Sequence, residues 1–237
     1  MTDINSASGN SQASEYRRIW AAGMWDNNIV LKQSLALCPL LAFTSNATNG
    51  LGLGIATTVV MVAANLLTSM AKGVISKAVR IPANIIIIAS LVTLIDALLN
   101  AWLHPLHKVL GLFIPLIVTN CAILGRVESY ASKSPLLPSV VDGLAMGLGF
   151  TWVLTMLGGI REVIGSGTLF ANASLLLGQH FAFLETVVIP EYRGVLLVIL
   201  PPGGFLILGA VLAIKQKAEQ LLAERRALAL AATTAQS

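Results

Sequence analysis

Residues 33–71 read QSLALCPLLAFTSNATNGLGLGIATTVVMVAANLLTSMA and contain no charged side chain. A helix crossing a bilayer needs about 20 apolar residues, and an ionised group at the bilayer centre costs several kcal/mol. A neutral run of this length therefore holds more than one span, and the polar, turn-forming Thr44-Ser45-Asn46-Ala47-Thr48-Asn49-Gly50 divides it. The two products are expected at about Leu31–Thr44 and Leu51–Ala71. Further charge-poor stretches follow at about Ala83–Leu103, Val109–Gly125, Gly143–Ile160 and Gly194–Ile214. The expected fold class is an all-α integral membrane protein with six transmembrane helices, the first and fourth broken.

Composition points the same way. Of the 237 residues 56% are hydrophobic and only 11% charged, against about 25% charged in a soluble domain. With a mean hydropathy of +0.80 this excludes an intrinsically disordered chain, a collagen and a disulfide-stapled secreted domain. The net charge of +4 comes from 15 basic and 11 acidic residues spread along the chain, so no basic stripe for nucleic acid exists and no nucleic-acid partner is expected. The first 27 residues lack the apolar core and cleavage site of a signal peptide, and the N-terminus is expected to be retained.

With the N-terminus cytoplasmic, twelve Lys and Arg fall inside: Arg17, Arg18, Lys32, Lys72, Lys77, Arg80, Arg126, Lys133, Lys215, Lys217, Arg225 and Arg226. Outside remain Lys108, Arg161 and Arg193. The positive-inside rule therefore orients both termini toward the cytoplasm. Residues 1–27 are expected as a cytoplasmic or interfacial segment, in which Tyr16, Ile19, Trp20 and Met24 at helical spacing lie in the headgroup region beside Arg17 and Arg18. The membrane domain takes 28–214, and 215–237 form a cytoplasmic tail, a helical extension that frays.

The membrane domain divides again into two related units, about 28–104 and 105–214. Leu37-Cys38-Pro39-Leu40-Leu41, a polar turn, Gly50-Leu51-Gly52-Leu53-Gly54 and a span correspond to Asn120-Cys121-Ala122-Ile123-Leu124, a polar turn, Asp142-Gly143-Leu144-Ala145-Met146-Gly147 and a span. Three spans per unit require the second unit to sit upside down relative to the first, an inverted-topology repeat whose functional centre lies where interrupted helices meet near the midplane. The first and fourth spans carry Pro39 and Pro115, and each holds one of the only two cysteines.

Cys38 and Cys121 admit two readings. A free cysteine is commonly a small buried apolar residue; thiolates at equivalent places in two repeats equally fit an iron–sulfur site. A [2Fe–2S] cluster takes four ligands, so two would have to come from another chain, a related subunit being the natural source. Asp96, in Val92-Thr93-Leu94-Ile95-Asp96-Ala97, is the one acidic residue deep in a span and is read either as part of a proton or cation path or as a carboxylate at a subunit interface or snorkelling outward. His104-Pro105-Leu106-His107 and Gly165-Ser166-Gly167-Thr168 are read as turns, and no nucleophilic triad is evident.

At these residues the chain resembles the Rnf/Nqr family of membrane electron-transfer subunits. The resemblance rests on Leu37-Cys38-Pro39-Leu40-Leu41-Ala42, on Ala47-Thr48-Asn49-Gly50-Leu51-Gly52-Leu53-Gly54 with Ala56-Thr57-Thr58, and on Phe113-Ile114-Pro115-Leu116-Ile117-Val118-Thr119-Asn120-Cys121. Gly165-Ser166-Gly167-Thr168-Leu169-Phe170 and Leu200-Pro201-Pro202-Gly203-Gly204-Phe205 extend it, and together the motifs cover about Asn27 to Ile214. The resemblance implies a six-helix inverted-repeat subunit in the bacterial inner membrane, paired with a homologous A subunit of opposite orientation. The pair would hold one [2Fe–2S] cluster, with Cys38 and Cys121 at the ligand positions and no flavin on this chain. It further implies a complex with flavin- and iron–sulfur-carrying subunits that couples electron flow between ferredoxin and NAD to movement of Na+ or H+. This chain would be one relay station of that translocase, without a complete active site of its own. The Leu-Cys-Pro-Leu-Leu and Leu-Pro-Pro-Gly-Gly-Phe runs favour the Rnf branch over the D subunit of the related Na+-pumping NADH:quinone reductase. Without the resemblance, a secondary transporter and a scaffold subunit compete, and iron content would separate them.

Overall fold

The computed structural model describes residues 15–73, 75–102, 111, 114–170, 186–187 and 194–234. In chain order the helices are α1 (residues 15–21, continued by a π turn at Ala22–Asp26), α2 (Leu37–Phe43), α3 (Ala47–Ala71) and α4 (Arg80–Trp102). Then come α5 (Ile114–Val118), α6 (Cys121–Arg126, continued by a π turn at Val127–Ala131), α7 (Leu136–Ser166), α8 (Leu196–Ile199) and α9 (Pro201–Thr234). One antiparallel ladder, β1 (Thr168–Leu169) with β2 (Thr186–Val187), pairs Thr168 with Val187. Among the described residues α3, α4 and α7 are long and apolar enough to cross a bilayer.

Small residues determine how α3 and α7 meet. Gly50 and Gly54 on α3, and Gly143 and Gly147 on α7, are spaced four apart and so line one face of each helix. Within a membrane such a face lets backbones approach until dispersion and interhelical hydrogen bonds hold them, since lipid supplies no hydrophobic drive between helices. A Cβ at Gly54 would stand 2.8 Å from Thr151 Cα, and one at Gly50 2.8 Å from the Leu154 carbonyl oxygen. A Cβ at Gly147 would meet Thr58 Cβ at 2.9 Å. Opposing positions descend along α7 as they rise along α3, so the helices run antiparallel. At the crossing the Thr58 and Thr151 hydroxyls lie 3.0 Å apart, each also reaching its own i−4 carbonyl, Gly54 and Gly147. Around the pair gather Leu53, Val60, Met61, Phe150, Val153 and Leu157, all buried. α4 contributes Ile88 and Val92 to the same core and exposes Ile81, Ile86, Leu94 and Leu98 on its other side.

The helices depart from the expected spans where backbone chemistry intervenes. The stretch expected at Leu31–Thr44 is helical only over Leu37–Phe43, because Ser34 and Ala36 adopt left-handed φ values of 51° and 61° that an α-helix cannot contain. Seven helical residues cover only about 10 Å, a third of the hydrocarbon core. The span expected at Val109–Gly125 is cut at Thr119-Asn120 into α5 and α6, and the one at Gly194–Ile214 at Leu200, before Pro201 opens α9. The other three run longer than expected, as Ala47–Ala71, Arg80–Trp102 and Leu136–Ser166, since a helix does not stop where the hydrocarbon does. α7 ends where Gly167, at φ 70°, takes the left-handed cap and donates its N–H to the Val163 carbonyl; of the turn expected at Gly165–Thr168, Gly165 and Ser166 are still helical and Thr168 already belongs to β1. α9 passes through Lys215 without a break, and Lys215 lies 5.7 Å from the Trp25 ring, tying it to the first π turn.

That first π turn packs on the middle of α7. Gly23 abuts Ala145, the Gly23 carbonyl faces Gly149, and Asn28 donates to the Gly149 carbonyl at 3.1 Å. Asn28 is fully buried and its Oδ1 accepts from the N–H groups of Val30 and Leu31, a side-chain turn that redirects the chain toward α2. The His104–His107 motif lies outside the described residues.

Candidate functional site

Both cysteines stand in the first turn of a short helix that follows a break. Cys38 is the second residue of α2, and Pro39, Leu40 and Phe43 turn inward while the thiol stays exposed. Cys121 is the first residue of α6, with Ala122 and Ile123 inward and its thiol likewise exposed. α2 packs against α5, the half-helix leading to Cys121, so the two broken segments are neighbours. Among the described residues no three His, Cys, Asp or Glu side chains gather where they could hold a metal ion. The chain thus offers two thiols that its own fold leaves uncovered.

The helix starts differ in chemistry. The Asn120 side chain caps α6 by accepting from Ala122 N–H at 3.0 Å, and Cys121 Sγ lies 3.9 Å from the Thr119 carbonyl. Its neighbouring amide donor, Asn120 Nδ2, is buried with no partner among the described residues. α2 begins after the left-handed Ala36, with no side-chain cap.

Two buried charge centres hold the far ends of these helices. Arg126, in the last turn of α6, donates Nε to Asp142 Oδ2 at 2.9 Å and Nη2 to Asp142 Oδ1, and its guanidinium lies over the Tyr130 ring at 5.2 Å. Burial and then the Asp142 charge push the Tyr130 phenol above its ordinary value. Arg161 of α7 is 1% exposed. It donates Nη1 to Thr44 Oγ1 (2.8 Å) and the Leu41 carbonyl (3.3 Å). It also donates Nε to the Val198 carbonyl (3.2 Å) and Nη2 to those of Ile199 (2.6 Å) and Leu200 (3.2 Å). One guanidinium therefore satisfies the carbonyl ends of α2 and α8 together, where the helix dipole favours a cation. The adjacent Glu162 accepts from Ala47 N–H at 2.9 Å, placing a carboxylate at the start of α3, and from the Thr168 hydroxyl at 3.3 Å. Arg161, counted with an outer loop on sequence, is thus corrected to a buried position inside α7.

A further polar cluster joins α3, α4 and the second π turn: Glu128 accepts from Arg80 at 3.4 Å and Asn84 at 3.2 Å, and Asn84 Oδ1 accepts from Thr68 at 3.5 Å. Asp96, half-buried on α4, has a polar partner of its own and belongs to neither cysteine helix. Sequence reading missed the Arg161-Glu162 pair and the Arg126–Asp142 bridge. The available signal was two adjacent opposite charges flanked by Ile160 and Val163-Ile164, with no turn residue between Ile160 and Gly165.

Long apolar helices packed through glycine faces, with helix breaks presenting thiols, define a polytopic helical membrane protein. The family described as "Rnf-Nqr subunit, membrane protein" matches residues 16–212, and the chain belongs to that family. It is 60% identical over 201 residues to a Rhodobacter capsulatus protein named as the E subunit of an ion-translocating oxidoreductase complex, covering 85% of this chain and 83% of that one. Proteins of the same name from Azotobacter vinelandii (56% over 207 residues, 87% of each chain) and Paramagnetospirillum magneticum (53% over 204 residues, 86% and 92%) are similar to it as well.

Proposed function

We propose that this chain is the membrane electron-relay subunit of an Rnf-type complex that couples electron transfer between ferredoxin and NAD to ion translocation across the bacterial inner membrane. Cys38 and Cys121 supply two of the four thiolates of an intramembrane [2Fe–2S] cluster, and a homologous A subunit of opposite topology supplies the other two. The names of the relatives support the complex. The observation that carries the cluster is the matched placement of the only two cysteines, each exposed in the first turn after a helix break. Two thiols suit half of a four-thiolate site, and their exposure suits a group completed by another chain. When bound, a cluster would supply one-electron transfer; this chain's residues hold the two thiols in the first turns of α2 and α6.

The reading includes an inverted repeat of six helices, the first and fourth broken, divided at about 28–104 and 105–214. Contacts between α3 and α7 support it because they occur in mated pairs. Gly50, Gly54, Thr58 and Met61 each have a partner 93 positions on: Gly143, Gly147, Thr151 and Leu154 (143 − 50 = 154 − 61 = 93). The contact of Gly50 with Leu154 is mated by that of Gly143 with Met61, the contact of Gly54 with Thr151 by that of Gly147 with Thr58, and Thr58 with Thr151 is its own mate. Such pairing is what a two-fold axis in the membrane plane produces. The excess of Lys and Arg on one side supports cytoplasmic termini, and reporter fusions at both ends would then read the cytoplasmic compartment; a periplasmic reading from either end contradicts this.

The test is electron spin resonance of the purified, reduced complex. Cys38→Ala and Cys121→Ala should each abolish the [2Fe–2S] signal of this centre, and its survival in both contradicts the reading. Asp96 is proposed as a carboxylate of the ion path. Asp96→Asn, which keeps size and hydrogen bonding but loses the charge, should leave that signal intact and lower ion transport in vesicles; undiminished transport removes Asp96 from the path.

A further inference from the structure

We propose that Arg161 is a positioning residue for Cys38: through the carbonyl end of α2 it fixes the orientation of the thiol, and with it the environment of the group the thiol binds. The inference rests on the cluster reading above for its consequence, but not for its geometry.

α2 is too short to hold its own direction. It has seven residues, no side-chain cap at its start, and two left-handed residues immediately upstream. Among the described residues it is held by apolar side chains, Pro39, Leu40 and Phe43 inward with Leu37 and Leu41 against the core, by the Thr44 hydroxyl donating to the Leu40 carbonyl, and by the Arg161 guanidinium, the directional contact that reaches it from a distant helix. Apolar contacts fix depth but leave rotation and tilt soft, because they are non-directional. Hydrogen bonds from a planar fork are directional. Arg161 meets the Leu41 carbonyl and the Thr44 hydroxyl, and Leu41 is three residues beyond Cys38, its neighbour on the same helix face. The same guanidinium is locked from the opposite side by three carbonyls at the end of α8 and the following residue. Glu162 grips the next helix start at Ala47, so consecutive side chains of α7 hold both sides of the Thr44–Asn46 corner. Among the described residues the acceptors of Arg161 are carbonyls of two helix ends and one hydroxyl, and moving α2 would leave a buried cation short of them.

The Cys121 helix has a separate hold. It carries its own cap and is anchored by Arg126 to Asp142, nineteen residues before Arg161 on α7 and so about 28 Å away along the axis. Loss of Arg161 should therefore disturb Cys38 and spare Cys121, which a general loss of stability would not do.

The experiment uses the full chain in lipid nanodiscs, nitroxide-labelled at Cys38 in a Cys121→Ala background or at Cys121 in a Cys38→Ala background. Arg161→Lys keeps the charge but cannot satisfy both helix ends; Arg161→Gln, which drops the fork and leaves the Thr44 hydroxyl on the Leu40 carbonyl, is the variant that decides if Arg161→Lys does not fold. Both should increase label mobility at Cys38, with the Cys121 spectrum unchanged. In the intact complex Arg161→Lys should retain the iron content of the parent while shifting the g values and midpoint potential of the [2Fe–2S] centre. Unchanged Cys38 mobility in the folded variants, or equal loosening at both cysteines, overturns the proposal. A cluster signal that survives Cys38→Ala would instead overturn the cluster reading and leave the labelling result standing.

Discussion

α2 and α6 present a cysteine in the same way and are built differently. α6 carries its instructions locally: Asn120 caps its first turn, Cys121 follows at once, and Arg126 five residues later reaches Asp142. α2 depends on distant chain, since its start is uncapped and its end is held by Arg161, 120 positions from Leu41. Equivalent exposure of a thiol thus arises once from local side-chain chemistry and once from a buried cation on a long helix. α7 braces both, and its close glycine-lined crossing with α3 gives the brace a rigid base.

On the α6 side one buried ion pair carries most of the hold. Arg126→Ala would strand Asp142, 2% exposed, without its cation. Breaking a buried pair in this manner costs about 3–5 kcal/mol, so denaturant or thermal unfolding in detergent should show a large loss of stability. Adding Asp142→Asn should recover part of it, because the uncompensated charge is then gone; no recovery would mean that the pair acts through packing alone. A smaller effect is expected at the cap: Asn120→Ala removes the acceptor for Ala122 N–H and should cost about 1 kcal/mol, read by the same unfolding measurement. An unchanged stability would show that α6 does not need its cap.

On the α2 side the backbone itself can be tested. Ala36 holds φ 61°, a conformation that costs an L-residue roughly 1–2 kcal/mol and glycine almost nothing. Ala36→Gly should therefore stabilise the chain by about 1 kcal/mol, against the usual penalty for added backbone freedom in the unfolded state. A loss of stability instead would mean that the turn before Cys38 relaxes once its side chain is removed.

What the sequence made legible follows the same division. The charge-free stretches located α3, α4 and α7 because a continuous apolar helix leaves an unbroken mark over about 20 residues. The Thr119-Asn120 break was visible because a polar cap before a helix is a local signal. The short α2 was less so: nothing in Ser34-Leu35-Ala36 announces left-handed backbone, which neither serine nor alanine favours. Arg161 and Glu162 were misplaced because an arginine after an apolar run reads as a helix end. What makes its burial tolerable is a set of carbonyls from α2 and α8 that only the folded chain assembles. The Arg126–Asp142 bridge hid in the same way, between a helix end and the start of the next helix. Sequence patterns record where polar groups are excluded more plainly than where they meet.

If this chain holds half of a shared cluster, as we propose, iron should appear only when the other half is present. Iron and acid-labile sulfide are measured in this chain expressed alone and in the pair co-expressed with the proposed homologous A subunit, both prepared without oxygen. The expected result is no stoichiometric cluster on the chain alone and one [2Fe–2S] per pair, two of its four thiolates being Cys38 and Cys121. A full cluster on the chain by itself, or a pair without iron, would contradict it.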